Sequence, residues 1–376
     1  MSPSKGRLVF INVSESNSAT GSLKLPTIMR STLSIPLAPE DIRNIRSFLA
    51  SELAYQGKRV SPYWTDRIKA GEILIQDQTD AVNENVADVD TFIDLGNLEK
   101  WVSWSPFNPR IGLVILRLIR SIARVDLRSH ITKQEHSLAY RYYKRNLPAL
   151  ARRIDGSLQQ PSLRSEMLNN SPFRHYLHVW PLDYLRFTHA FNVICQFYGG
   201  VKGARVLEIG AAHGFLAHLM HFFLSTKHVI IDLPHIVILA YAVTKFLFPE
   251  IEVLLPHQVT RLNDKLSSCD YQFIFLTPQQ ASLLPGESFD VAINMCSFQE
   301  MDADIVKDYF DLVDTNLVRG GIFYVMNRKE KHVDANYVAR FDEYPWHANY
   351  PVLFQNTITM PFQMEHCERV CEKATI

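Results

Sequence analysis

At 376 residues, with 47% hydrophobic and 21% charged residues, the chain has the composition of an ordinary globular protein and the length for two domains. Its 39 basic and 39 acidic residues cancel, which removes any chain-wide attraction to polyanions, so no nucleic-acid partner is expected. No apolar run approaches the roughly 18 to 20 residues of a membrane span. Cys195, Cys269, Cys296, Cys367 and Cys371 form no even framework, so a reducing, cytoplasmic setting is expected.

Residues 1–35 mix Ser, Thr, Asn and Pro around one short apolar run and read as an extended arm. A helical pattern begins at Pro39-Glu40-Asp41, where acids in the first turn suit the helix dipole. Residues 71–100 carry eight acids against the single base Lys100 and read as a solvated loop and helix face. After a loop around Trp101 to Pro109, residues 110–164 carry twelve Arg and Lys. Arg117, Arg120, Arg124 and Arg128 recur at helical spacing opposite Leu113, Leu116, Ile119 and Ile122. This stripe is either a surface face neutralised by the acidic segment, or a landing surface for an anionic acceptor or membrane face. A boundary near residue 180 therefore separates a mainly helical N-terminal substrate or cap domain, 1–180, from residues 181–376.

Past an amphipathic segment, Leu182 to Phe197, the run Arg205-Val206-Leu207-Glu208-Ile209 reads as a buried parallel strand. It breaks into Gly210-Ala211-Ala212-His213-Gly214 and resumes as a helix. Gly210 and Gly214 permit a tight turn and close approach of backbone to a ligand. A dinucleotide fingerprint would need glycines at Ala212 and Phe215, and Glu208 would repel a pyrophosphate. An acid there suits a cationic nucleoside such as S-adenosyl-L-methionine. Lys227 to Ile231 reads as the next strand and delivers Asp232-Leu233-Pro234, an acid placed to accept from ribose hydroxyls. Phe289 to Cys296 and Gly320 to Arg328 are further apolar runs ending in polar groups, and residues 352–362 suit an antiparallel edge strand. Helices are expected after Gly214, Pro234, Asp302 and His332, giving parallel β/α connections.

The order and spacing of these elements, over about residues 181–330, resemble the class I S-adenosylmethionine-dependent methyltransferases. Within that superfamily, Asn294-x-x-Ser297-Phe298-x-Glu300-Met301, Asp232-Leu233-Pro234 and Asn327-Arg328 are similar to the sugar O-methyltransferases. The resemblance implies a Rossmann-like doubly wound, mostly parallel α/β sheet, S-adenosyl-L-methionine as cofactor, and methyl transfer to a hydroxyl of a sugar or glycan, with an anionic acceptor open. It makes Glu208, Gly210, Ala211, Gly214, Asp232, Leu233 and Asn294 the expected cofactor residues. A natural-product hydroxyl as acceptor, or a non-catalytic scaffold of the same fold, are the alternatives. Peripheral membrane contact and homo-oligomer formation stay open.

Two positions depart from the superfamily pattern. Ala212 replaces the middle glycine, which requires a negative φ there. The candidate third strand, Tyr271 to Leu276, ends in Thr277-Pro278-Gln279 without an acid, leaving His257 and Gln258 as rival adenine contacts.

Methyl transfer needs an in-line acceptor oxygen and a group to take its proton. Plant-type O-methyltransferases, which share the Asp-Leu-Pro element, place a His-Asp pair after the strand matching Phe289 to Cys296, where this chain has Gln299 and Glu300. The expected catalytic set is therefore Glu300 as base, His213 and Arg328, with His235 and His347 in reserve. Glu300 instead orients the helix near Asp302 if its role is structural. Arg328 either grips an acceptor anion or pairs with Asp232 or Glu300, and Asn327 either binds a sugar hydroxyl or holds its strand end. No metal ligands are expected: Glu300, Asp302 and Asp304 are close in sequence, but Asp302, Asp304 and Asp308 read as a solvated first helical turn, and His366, Cys367 and Cys371 as a tail with thiols. Trp64, Trp101, Trp104, Trp180 and Trp346 are either sugar platforms or packing residues.

Overall fold

The computed structural model describes residues 6–13, 30–51, 71–76, 181–199, 201–259, 262–268, 271–333, 337–360 and 364–375. The basic stripe with Arg120 and Arg124, the acidic residues from Asp77 to Glu99, Cys269, Trp64, Trp101, Trp104 and Trp180 lie outside them.

Six consecutive apolar stretches build a parallel sheet because each is buried on both faces, which only helices on either side can arrange. These strands are β4 (Arg205–Ile209), β5 (Lys227–Ile231), β6 (Val253–Leu254), β7 (Phe273–Leu276), β8 (Phe289–Met295) and β9 (Leu317–Arg328). Val206, Leu207, Ile230, Ile274, Val291 and Val325 are all 0% exposed. With the C-terminal strands β12 (Val352–Met360) and β13 (Met364–Glu372), the order across the sheet is β12-β13-β9-β8-β4-β5-β7-β6. All neighbours from β9 to β6 are parallel, while β13 runs antiparallel to both β9 and β12. This is the expected Rossmann-like doubly wound sheet. Its order reverses between β4 and β8, and the crevice beyond their carboxyl ends is where such a sheet takes a ligand.

The connecting helices are α2 (Pro181–Phe197) before β4, α3 (Phe215–Leu224), α4 (Pro234–Leu247), the short α5 (Leu262–Ser268) and α6 (Ala303–Asn316). Along α6 the buried residues Val306, Tyr309, Phe310 and Val313 recur at one helical face, and Phe310 packs on Phe298 and Phe323 at 5.5 and 5.3 Å.

Three expectations are revised. Among the described residues no α-helix follows His332. Instead β10 (Glu330–His332) and β11 (Val338–Arg340) pair as an antiparallel ribbon against the turn Phe298–Glu300. The thiol-bearing tail is the interior strand β13, where alternation sends His366 and Cys367 to opposite faces. Glu368 on that strand is fully buried because His189 of α2 meets it at 2.7 Å and the Tyr324 hydroxyl donates to it at 3.1 Å.

The extended arm is ordered as β1 (Gly6–Val13) and β2 (Arg30–Leu37), which with β3 (Gly71–Gln76) form a second, antiparallel sheet in the order β2-β1-β3. The described part of the N-terminal region holds these three strands and one helix, α1 (Pro39–Ala50). Residues 1–81 cluster with 187–376, and 82–186 form the other unit. Within the first unit, the Tyr241 hydroxyl on α4 donates to Asp41 of α1 at 2.8 Å, and Phe48 stacks on His257. Among the described residues no helix is long and apolar enough to cross a membrane.

Candidate active site

The turn leaving β4 alternates left-handed residues, Gly210 at φ 69°, Ala212 at φ 52° and Gly214 at φ 85°. Ala212 therefore does not keep the negative φ its side chain prefers, at a cost of roughly 1–2 kcal/mol. The compensation is geometric: the conformation aims its N–H at the Asp232 carboxylate, 3.0 Å away. Gly210 is required for a reason other than ligand approach, since a Cβ there would lie 2.1 Å from Ser297 Oγ. Gly214 then starts α3, its carbonyl accepting from the His218 amide at 2.9 Å.

Two carboxylates lie at this turn. Glu208 is 1% exposed with Oε2 lacking a hydrogen-bond partner, and burial, reinforced by the nearby Asp232, pushes its carboxyl up to about 8. Asp232 is half-buried at the end of β5, its oxygens accepting from the amides of Ala212 and Leu233 (2.7 Å for the latter). Loss of water raises it to about 7 against the lowering effect of those amides, and Glu300 adds to the rise. Two acids raised together leave a cradle short of positive charge. Ala211 is buried beneath the turn, and Leu233 caps α4 as its N-cap residue.

Asn294 is not free to contact a ligand. Its Nδ2 donates to the Ile209 carbonyl at 3.0 Å and to Ser297 Oγ at 2.5 Å. Its Oδ1 accepts from Asn327 Nδ2 at 2.8 Å and the Phe298 amide at 3.3 Å, so all four hydrogen-bonding positions of the amide are used. It is a positioning residue, locking the ends of β4, β8 and β9 together. The lock continues outward. Asn327 Oδ1 accepts from the Gln299 amide at 3.2 Å, and Gln299 Oε1 accepts from the Arg328 amide at 2.6 Å. Of the two alternatives for Asn327, holding the strand end is the one its contacts satisfy.

The catalytic candidates fall into separate surroundings. Glu300, in the turn Phe298–Glu300, accepts from Lys331 of β10 through Oε1. Neither Glu300 nor Asp232 is paired with Arg328, which makes no ion pair among the described residues. His213 is half-buried with its ring edge-on to Phe187 of α2 and Phe215 of α3, at 6.0 and 6.3 Å. His235, in the first turn of α4, is lowered to about 4 by burial and is neutral at pH 7. His347 hydrogen-bonds the Phe310 carbonyl at 3.2 Å, and Trp346 donates to the Phe341 carbonyl under Arg369, so both read as packing residues.

On the other flank β7, not β6, neighbours β5. The turn after β7 is stitched to the turn after β6: Gln280 accepts from the Thr277 amide at 3.1 Å and donates to the Pro256 carbonyl at 2.9 Å. Gln258 is similarly spent on the Leu255 amide, at 2.8 Å. No group of three or more His, Cys, Asp or Glu fit to hold a metal occurs among the described residues.

Lys331 is a member of this site that the sequence does not single out, and Ser297 and Gln299, which stand in its motifs, have roles there that the sequence does not show. A side chain that fills the space a glycine leaves, or reaches a carboxylate from a ribbon 31 residues later, has no local pattern to announce it.

No protein-family model matches the sequence, and no curated protein matches it. Among solved structures the chain is similar over about half its length to several proteins. The S-adenosylmethionine dependent methyltransferase from Mesorhizobium loti is 11% identical over 48% of this chain and 96% of that one, with a TM-score of 0.32. The [4+2]-cyclase SpnF is 12% identical over 49% and 80%, at 0.36. The YcgJ protein from Bacillus subtilis is 12% identical over 50% and 100%, at 0.33. Likeness at this level says nothing of reaction or ligand, which the site itself must carry.

Proposed function

We propose that the chain binds S-adenosyl-L-methionine and transfers a methyl group to a hydroxyl of a sugar or glycan. The observation that carries the cofactor is the pair of raised carboxylates, Glu208 with an unpartnered buried oxygen and Asp232 beside it, under a turn of three left-handed residues. Such a cradle penalises a phosphate and favours a ligand bearing positive charge. Glu208 would pair with the ligand's ammonium, and Asp232, whose oxygens keep spare lone pairs, would accept from ribose hydroxyls. When bound, this cofactor supplies an electrophilic methyl group on a sulfonium.

The acceptor side lies at the carboxyl ends of β8 and β9, where the Asn294–Asn327–Gln299 lock fixes the turn that carries Glu300. Glu300, oriented by Lys331, is the proposed recipient of the hydroxyl proton; the methyl group replacing it on the acceptor oxygen would come from the sulfonium, whose carbon–sulfur bond would break to leave the neutral thioether. The sugar class rests on the likeness of Asp232-Leu233-Pro234, Asn294 to Met301 and Asn327-Arg328 to the sugar O-methyltransferases.

A second reading, cofactor binding without transfer, is favoured by the engagement of Glu300 in an ion pair. Calorimetric titration with S-adenosyl-L-methionine should give binding in the range of about 1 µM to 1 mM typical of enzyme ligands. Incubation with a glycan extract should then add the mass of one methylene to an acceptor. Absence of binding heat overturns the proposal, whereas heat without any methylated product leaves the binding-only role.

A further inference from the structure

Four charged residues follow one another where β9 leaves the sheet: Arg328, Lys329, Glu330 and Lys331. Three have partners of opposite charge. Lys329 meets Glu365 at 3.3 Å, Glu330 meets Arg340 at 3.5 Å, and Lys331 meets Glu300. Arg328 has none among the described residues, although its Nε is shut off from solvent and makes no hydrogen bond. A guanidinium N–H withdrawn from water without an acceptor is costly, and the two exposed members of the run are paired while the half-buried Arg328 is not.

The backbone that carries Arg328 is held on two sides. Gln299 of the Glu300 turn accepts from its amide at 2.6 Å, and it stands opposite His366 in the pairing with β13. By strand alternation its side chain leaves the sheet on the face of Tyr324, away from Asn327 and the lock, and so is not drawn into that network. In the sheet β8 separates β9 from β4, so Arg328 lies two strand spacings, roughly 10 Å, from the strand that carries Glu208. That places it on the acceptor side rather than in the cofactor cradle.

We infer that Arg328 binds an oxyanion, a carboxylate or a phosphate, on the acceptor, so that the substrate is an acidic or phosphorylated sugar. The planar guanidinium fork suits either group, taking both oxygens in parallel hydrogen bonds. The inference rests on the methyl-transfer proposal for the identity of the site, but the anion contact can be tested apart from it.

The full chain loaded with S-adenosylhomocysteine is titrated with glucose, glucuronate and glucose 6-phosphate, for the wild type, Arg328→Gln and Arg328→Lys. At least one anionic sugar should bind the wild type about tenfold or more tighter than glucose. Arg328→Gln should abolish that preference, and Arg328→Lys, which keeps the charge but not the fork, should keep part of it. Preference for glucuronate assigns the carboxylate, and preference for glucose 6-phosphate the phosphate. Equal affinity for all three sugars in the wild type, or a preference that survives in Arg328→Gln, overturns the inference. So does a loss of S-adenosylhomocysteine affinity in Arg328→Gln with sugar binding unchanged, since Arg328 then holds the cofactor. If S-adenosylhomocysteine fails to bind the wild type, the methyl-transfer proposal falls, and the sugar titrations of the ligand-free chain still decide the role of Arg328.

Discussion

With its carboxyl group out of water and one oxygen unpartnered, Glu208 holds a proton up to about pH 8 in the ligand-free fold, against 4.5 for an ordinary glutamate. Between those values the folded chain binds a proton that the unfolded chain has released, so stability falls as pH rises through that window. Glu208→Gln removes this loss. The ligand-free variant should therefore melt above the wild type at pH 8, with the gap closing toward pH 5, while its affinity for S-adenosyl-L-methionine falls tenfold or more. A cation bound beside Glu208 stabilises the ionised form, so binding by the wild type at pH 7 should release protons and tighten as pH approaches 8. Calorimetry in two buffers of different ionisation enthalpy measures the released protons, and proton uptake would contradict the assignment. Glu208, Gly210 and Asp232 were legible in the sequence because the strand-turn-helix order fixes where their backbone must go. Ala212 was not, because its left-handed φ is imposed by the reach of its amide toward an acid 20 residues away.

At the scale of elements, the glycine turn after β4 and the turn after β8 form one packed unit. A Cβ on Gly210 would sit 2.1 Å from Ser297 Oγ and 2.4 Å from Ser297 Cβ, while the next nearest atom, the Ser297 Cα, is 3.9 Å away. Gly210→Ala should thus destabilise the protein by about 3 kcal/mol or more, combining overpacking with the left-handed penalty. In a Gly210→Ala, Ser297→Gly double variant the clash is gone and only the φ cost and the lost serine hydrogen bonds remain. Denaturant unfolding should then show a favourable coupling of about 1–3 kcal/mol between the two sites. Strict additivity would mean that the glycine serves ligand approach after all. The parallel strands were readable because continuous apolar runs bounded by turn residues have few other fates. Strand β13 is hidden in the sequence, since His366 and Glu368 look like surface, and the partners that let Glu368 be buried, His189 and Tyr324, lie 179 and 44 residues earlier in the chain. The ribbon of β10 and β11 is likewise hidden, because its charges give no period-two pattern until their partners Arg340 and Glu300 are in place.

For the molecule as a whole, the sequence reads as a substrate or cap domain, residues 1–180, before a cofactor part, residues 181–376. The docking of α1 argues against that separation. Ile42, Ile45 and Phe48 are at most 3% exposed, Phe48 stacks on His257 at 6.1 Å beside the turn after β6, and Asp41 accepts from the Tyr241 hydroxyl. Burying three such side chains is worth about 1.5–3 kcal/mol each, a sum comparable with the roughly 5–15 kcal/mol stability of a whole domain. A fragment that begins at residue 181 would leave the surfaces of α4 and the Pro256–Gln258 turn bare. It should be poorly soluble or unfolded, rather than a cofactor-binding domain that has lost only transfer. The milder test keeps the chain entire. Phe48→Ala deletes the largest of the three side chains at an expected cost of about 3–5 kcal/mol. In a unit of this size that should lower the melting temperature by roughly 5–15 °C. Because α1 packs on α4, the helix that Asp232 and Leu233 introduce, the cofactor site should be lost in the same transition as the fold. A melting temperature that stays within a degree or two, with S-adenosyl-L-methionine affinity intact, would show instead that α1 is an appendage and that the division at residue 180 holds.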